Sequence, residues 1–310
     1  MNAPIITVTP NPALDRTLFV DRLAIGGVAR VREVLEEPGG KGINVSRVLR
    51  KFKADTLALS VIAGGTGMRL RQEIERLGIG MDFIEVQGET RVNLTLTDGA
   101  QELKVNEPGP RITPRAAEEL KARVRYHARG SRAVVFSGSL PPGADTALYA
   151  ELIGIARQEG SQPVLNTAGE ALAQGIGAGP YMLKANPQEA GELVRRRLER
   201  KDEIAKAARE ISQRGVQVVV ISMGMRGAIL GSGGQSWVAE ALPVKAASTV
   251  GAGVSLLACV LLALLEGSDP PSALRSGTAA SLATASQPGS GVCTPAELER
   301  MLELVEVRKI

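Results

Sequence analysis

The stretch of this chain best suited to chemistry is STVGAGVS at residues 248–255, where a turn of small residues opens directly into an apolar run. Gly251 and Gly253 let successive backbone N–H groups point the same way, and the start of a helix adds the positive end of its dipole. Such a turn is an anion hole. Tight helix starts of this composition are common, so its meaning depends on what the fold brings beside it. A second arrangement is Asn186 and Glu189, three residues apart where a strand-like run meets a helix-like one, with Lys184 just before them. These side chains can hold Mg²⁺-bound water and phosphate oxygens. Taken singly, other polar residues read as ordinary: Asp15 as a turn residue, Lys41 as a solvated charge, Arg91 as half of a surface ion pair.

The elements that must position these groups follow a repeating pattern. Short β-branched runs at residues 6–10, from 56, from 133, from 163, from 181 and from 216 read as strands. Stretches 42–52, 67–77, 114–129, 145–159, 188–198 and 202–214 repeat apolar residues at three and four and read as helices. Alternation of this kind implies parallel strands covered by helices. Residues 15–37 and 84–104 break the rhythm with β-like alternation, turn residues and no helix between. They are expected to form a small separate sheet inserted into a single domain, placed to cover a site as a lid. Residues 254–265 and 273–286 are Ala-rich and apolar on most faces, as packed core helices are.

Composition narrows the classes. The 310 residues carry a net charge of +4, 44% hydrophobic and 23% charged residues, which fits a globular protein rather than a disordered one. No basic and aromatic cluster points to nucleic acid; Arg195, Arg196, Arg197 and Arg200 read as a solvated helix face. Only Cys259, Cys293 and His127 are available as soft metal ligands, so neither a zinc site nor a disulfide framework is expected. His127 reads as a surface residue without an acidic partner, and Cys259 as a small core residue. The run 1–9 shows no secretory leader and 254–265 is too short to span a bilayer, so a cytoplasmic protein with no membrane contact is expected. No GxGxxG follows the first strand, which argues against a dinucleotide-dependent dehydrogenase.

Several motifs stand in an order that resembles the phosphofructokinase-B family of the ribokinase superfamily: NPALD at 11–15, PGGKGIN at 38–44, TRVN at 90–93, SGSLPPG at 137–143, KANPQE at 184–189, SMGMRGA at 222–228 and the GAG turn. The resemblance covers nearly the whole chain. It implies a ribokinase-like α/β fold, a doubly wound and mostly parallel sheet with helices on both faces plus a small β-sheet lid. It also implies an ATP- and Mg²⁺-dependent sugar-phosphate kinase. By it, Asp15, Gly39, Gly40, Lys41, Asn44, Arg91, Asn93 and Ser139 form the sugar-phosphate site, with Lys41 and Arg91 clamping the existing phosphate. Lys184, Asn186, Glu189, Ser222, Gly224 and Gly227 would face the nucleotide, Gly277 and Ser281 would flank adenine, and Asn186 and Glu189 would serve Mg²⁺. A homodimer joined through the lids is implied as well.

One departure matters most. The family turn reads GAGD, its aspartate deprotonating the sugar hydroxyl, whereas this chain has Gly251, Ala252, Gly253 and then Val254. Asn166 also replaces a usual aspartate, and Ala185 a usual proline. The resemblance therefore implies transfer of the ATP γ-phosphate to a hydroxymethyl group of a ketohexose phosphate, impaired by the absent base. Fructose 1-phosphate is the first expectation, because TPNPALD, PGGKGIN and NEPGP are most similar to 1-phosphofructokinases; tagatose 6-phosphate and fructose 6-phosphate stand close. The alternative is a non-catalytic sugar-phosphate or nucleotide sensor, or an interaction protein, on the same fold.

Overall fold

Strand-forming runs of Val, Ile and Leu buried on both faces need cover on both sides, and the connections supply it. The computed structural model describes residues 3–24, 26–242, 250–287 and 291–310; Ser248 and Thr249 of the anion-hole turn lie outside them. The first part of the chain runs β1 (Ile5–Thr9), β2 (Ala13–Val20), β3 (Val31–Gly39), α1 (Lys41–Lys51), β4 (Thr56–Ala63), α2 (Gly64–Arg76), β5 (Gly80–Val86), β6 (Arg91–Thr97) and β7 (Glu102–Asn106). It continues through α3 (Pro114–Ala128), β8 (Ala133–Ser137), α4 (Leu148–Gln158), β9 (Gln162–Asn166), α5 (Gly169–Gly177), β10 (Met182–Ala185), α6 (Pro187–Val194) and α7 (Lys201–Ser212). The last part holds β11 (Val218–Ser222), β12 (Ala228–Ser232), β13 (Gln235–Ala241), α8 (Ala252–Leu265), α9 (Pro270–Ala285), α10 (Pro295–Leu302) and β14 (Val305–Lys309).

Ten strands form one sheet in the order β14-β13-β12-β11-β10-β9-β8-β1-β4-β5, parallel from β11 to β5 and antiparallel beyond. Alternate strand residues feed two cores. Ile6, Val8, Val134, Phe136, Leu165 and Leu183 pack under α3 to α7, while Ile5, Ala133, Val135, Val164 and Met182 pack under α1, α8 and α9. Because α8 is apolar all round, it must be buried along its length, and Val254 to Leu262 are. Gly277 lets α9 approach it: a Cβ there would lie 2.3 Å from Val260 Cγ2 and 2.8 Å from the Leu256 carbonyl oxygen.

From β1 the chain builds outward to β4 and β5, and later from β8 to β11 on the other side. Such a switch in strand order opens a crevice at the carboxyl ends of the parallel strands. Strands β3, β2, β6 and β7 form the second, four-stranded sheet, with β2 parallel to β6 and antiparallel to β3.

Some boundaries differ from the sequence expectation. Residues 84–86 belong to β5, paired with β4 at the edge of the large sheet, so the small sheet takes the second stretch only from Arg91 on. The reason is the crossover helix α2, which delivers the chain beside β4. The helix expected over 188–198 ends at Val194, where Arg195 turns left-handed at φ 55° and the Arg196 N–H donates to the Gly191 carbonyl at 3.0 Å. The arginines beyond it therefore line a turn instead of a helix face, and Arg196 pairs with Glu210. Helix α5 and the antiparallel strands β12 to β14 were not anticipated.

Gly227 illustrates how tightly the edge is built. Its φ is 95°, and a Cβ would lie 1.9 Å from the carbonyl oxygen of Ala239 on β13. Gly227→Ala should therefore lower stability by about 2 kcal/mol or more in a urea titration. Gly154→Ala, inside α4 with nothing within 4 Å, should raise it by up to about 1 kcal/mol.

Candidate active site

At the carboxyl ends of the central strands lies a cavity of about 350 Å³ whose lining includes Asp15, Gly40, Lys41, Asn44, Arg91, Asn93, Lys184, Gly251, Gly253 and Val254. Three structural sources converge there. The small sheet brings Asp15 on β2 and Arg91 and Asn93 on β6; the start of α1 brings Gly40, Lys41 and Asn44; the start of α8 brings the glycine turn.

The turn is shaped for an anion. Gly251 is left-handed at φ 82°, and its carbonyl accepts from the Val254 and Ser255 amides at 3.0 and 2.9 Å. Among the described residues, the amides of Ala252 and Gly253 have no acceptor. Ser255 Oγ and Thr284 Oγ1, 2.7 Å apart, fasten the first turn to α9. Beside it, a Cβ on Gly253 would meet Lys184 Nζ at 2.9 Å. Lys184 is only 9% exposed and makes no hydrogen bond among the described residues. Burial pushes its pKa down to about 8, Glu189 opposes that shift and the charge of Lys41 adds to it. A cation buried in this way calls for an anionic partner.

The opposite wall is polar and pre-ordered. Asn93 Nδ2 donates to Asp15 Oδ1 at 2.8 Å, and burial holds the Asp15 carboxyl above its ordinary range despite that bond and the charge of Arg47. Gly39 is required by this contact, since a Cβ would stand 2.3 Å from Asp15 Cγ. Arg91 donates to the carbonyls of Asn11 at 3.1 Å and Glu107 at 3.4 Å, while its Nε is buried without a partner. Arg47, which sequence reading missed, donates to Asn44 Oδ1 at 2.9 Å and to Glu37 Oε1 at 2.8 Å, so it orients Asn44. Asn106, which was not among the expected site residues, and Asn166, noted in the sequence for replacing a usual aspartate, also line the cavity; the Asn166 side-chain oxygen is buried and has no partner among the described residues.

Other expected residues sit outside this cavity. Ser139 accepts from Asn11 Nδ2 at 3.3 Å, in a loop knot that also binds the Pro108 carbonyl. Asn186 and Glu189 form a reciprocal capping box on α6, 2.8 Å in each direction. Ser222 ends β11, its Oγ donating to the Ala185 carbonyl of β10 at 3.4 Å, Gly224 follows that strand, and Ser281 lies within α9. Gly277 faces α8 through its absent side chain, which accounts for it by packing. His127 is a correction: its Nε2 lies 2.8 Å from Asp82 Oδ2, a partner 45 residues away that only the placement of β5 beside α3 supplies. It lines a separate groove of about 740 Å³ at the amino ends of the strands. Cys259 is buried in the α8 core, as expected.

The chain is similar to known proteins along almost its whole length. The profile described as pfkB family carbohydrate kinase matches residues 11–297. The ATP-dependent 6-phosphofructokinase isozyme 2 of Mycobacterium tuberculosis is 34% identical over 303 residues, 97% of this chain and 89% of that protein. The 1-phosphofructokinase of Haloferax volcanii is 34% identical over 274 residues, 88% of each chain. The crystal structure of phosphofructokinase-2 from Escherichia coli in complex with potassium superposes with a TM-score of 0.92 at 29% identity, covering 97% of this chain and 98% of that one.

The Asp15 carboxyl gives a pH signature. Its folded pKa is raised above the ordinary 3.8, so the native state holds its proton to higher pH than the unfolded chain, and stability falls as pH rises through that window. Asp15→Asn removes the penalty. The variant should be more stable than the parent at pH 7, the difference vanishing as pH approaches 3.8, as read by thermal unfolding across pH.

Proposed function

The chain belongs to the pfkB family of carbohydrate kinases, and from that premise we propose that it binds ATP and a ketohexose monophosphate and transfers the γ-phosphate slowly, because Val254 stands where a general base is needed. The observation that carries this reading is the convergence, in one cavity, of the α8 amides, Lys184, Lys41 and Arg91 with Val254. Transfer forms a bond from the acceptor's hydroxymethyl oxygen to the γ-phosphorus, breaks the bond to ADP and leaves the hydroxyl proton to be taken up. The amides of Ala252 and Gly253 with Lys184 supply charge stabilisation for the moving phosphoryl group. Lys41 and Arg91 hold the phosphate already on the sugar, and Asp15, Asn44 and Asn93 read its hydroxyls. Val254, 7% exposed, accepts no proton and its methyls displace water that could.

Among the described residues no three His, Cys, Asp or Glu side chains converge to hold a metal. Asn186 and Glu189 fit a hydrated Mg²⁺ held through water, since the capping box engages one Glu189 carboxylate oxygen and leaves the other without a hydrogen-bond partner among the described residues. Such an ion, bound with ATP, neutralises phosphate charge.

Fructose 1-phosphate is the acceptor this reading favours, with fructose 6-phosphate and tagatose 6-phosphate next; the named activities of the two relatives support the first two. The small sheet acts as the lid, and Val31, Val34, Leu103 and Val105, all about half exposed on its strands, support pairing with a second copy through it. A cytoplasmic location fits the two free cysteines, and no helix among the described residues is long and apolar enough to cross a membrane. A second reading, a sensor that binds without turnover, is favoured by the neutral side chains at both 166 and 254.

A coupled assay of ADP release with the three sugars should show slow turnover in the parent chain and a gain of about 10² to 10⁴ in kcat for Val254→Asp, with KM little changed. Ordinary kinase turnover by the parent would overturn the role of Val254; no turnover by the variant would favour the sensor. Light scattering at micromolar concentration should give a dimer.

A further inference from the structure

The charge balance of the cavity goes beyond an impaired kinase. Three cationic side chains line it, Lys41, Arg91 and Lys184, against the single carboxylate of Asp15 among its described lining residues. Lys184 lies against the Gly253 backbone, buried and, among the described residues, without a hydrogen-bond partner. Lys41 makes no ion pair among the described residues either, yet its charge reaches Lys184 across the space between them. The free amides of Ala252 and Gly253 add a further positive pole beside Lys184. The α8 turn with Lys184 thus offers one anion-seeking pole and Arg91 on the small sheet another, with Lys41 in the same cavity and within electrostatic reach of Lys184. Between them the ligand meets hydroxyl readers.

In a working kinase a carboxylate at position 254 would stand one turn into α8, next to any phosphate seated on those amides. It would help remove the hydroxyl proton and then repel the newly formed phosphate ester, which speeds release. Val254 removes both effects. The third residue of the helix now offers methyl groups to a phosphate that the amides and Lys184 attract, and the neutral amide of Asn166 leaves a second lining position without negative charge.

We propose that this cavity is a receptor for a ketohexose bisphosphate, held with one phosphate on the α8 amides and Lys184 and the other on Lys41 and Arg91, in the absence of nucleotide and divalent metal. The inference rests on the sugar-phosphate reading of the site. It does not depend on which monophosphate is the acceptor, because phosphorylating the remaining hydroxymethyl group of fructose 1-phosphate or fructose 6-phosphate gives the same 1,6-bisphosphate. In this chain the product of the family reaction becomes the preferred ligand, which suits a protein that reports the bisphosphate rather than makes it.

Isothermal titration of the purified chain in EDTA, without ATP, tests this with fructose 1,6-bisphosphate, fructose 1-phosphate and fructose 6-phosphate as probes. The bisphosphate should bind at least tenfold more tightly than either monophosphate. Val254→Asp, its fold checked by circular dichroism, should lower bisphosphate affinity at least tenfold more than it lowers monophosphate affinity. Lys184→Met should bring the bisphosphate to within about threefold of the better monophosphate. Monophosphates binding as tightly as the bisphosphate would overturn the proposal and leave the kinase reading standing. A bisphosphate preference that survives both substitutions would also overturn it. No binding of any of the three sugars would overturn the sugar-phosphate reading itself.

Discussion

A buried ammonium that makes no hydrogen bond or ion pair among the described residues is the constraint around which the candidate site is organised. Lys184 sits at the end of β10, deep enough that burial disfavours its charge; Glu189 opposes that shift at a distance, and the ammonium lies against the amino-terminal turn of α8. Two positive features do not gather in a protein interior without an anion to receive. The fold makes the meeting unavoidable. A helix apolar all round must lie under the sheet along its whole length, and a parallel sheet aims the carboxyl ends of its strands at one crevice. Lys184 at a strand end and Gly251 to Gly253 at a helix start then share that crevice.

The second pole is built from a different part of the chain. The four-stranded sheet carries Asp15, Arg91 and Asn93 in adjacent strands, in a register that pairs Ala13 with Arg91 and Asp15 with Asn93. Arg91 is fixed by main-chain carbonyls instead of a carboxylate, so its charge is oriented without being neutralised. Asn44 is held by Arg47, and Arg47 in turn by Glu37. These restraints fix the polar groups of this wall before any ligand arrives, which reduces the ordering that binding would otherwise require.

The alternation of strands and helices and the glycine turn were legible in the sequence because each is a local pattern with a local cause, whereas the pairing of Lys41 with Arg91 came only from the ordered motifs of the family resemblance. What escaped was relational. The antiparallel strands β12 to β14 depend on pairing across the sheet edge, and β5 was assigned to the wrong sheet because nothing local says which neighbour a strand will find. The end of α6 at Val194 turns on a left-handed arginine where a glycine would be expected. Within the site, Arg47 joins the start of α1 to the end of β3 through Asn44 and Glu37, a contact that exists only once the strand and helix are placed side by side. Gly277, which the resemblance implies beside adenine, also has a packing role, since a Cβ there would collide with Val260 and Leu256 of α8.

On the proposed reading, Val254 is what separates a cavity that processes a phosphate from one that keeps it. The account stands on where a phosphate goes. A crystal structure of the chain with fructose 1-phosphate and a non-hydrolysable ATP analogue tests it most directly. The account predicts the γ-phosphoryl group within hydrogen-bond reach of the Ala252 and Gly253 amides and Lys184 Nζ, with the sugar phosphate on Lys41 and Arg91. Nucleotide phosphates seated elsewhere, with those amides bound only by water, would contradict it.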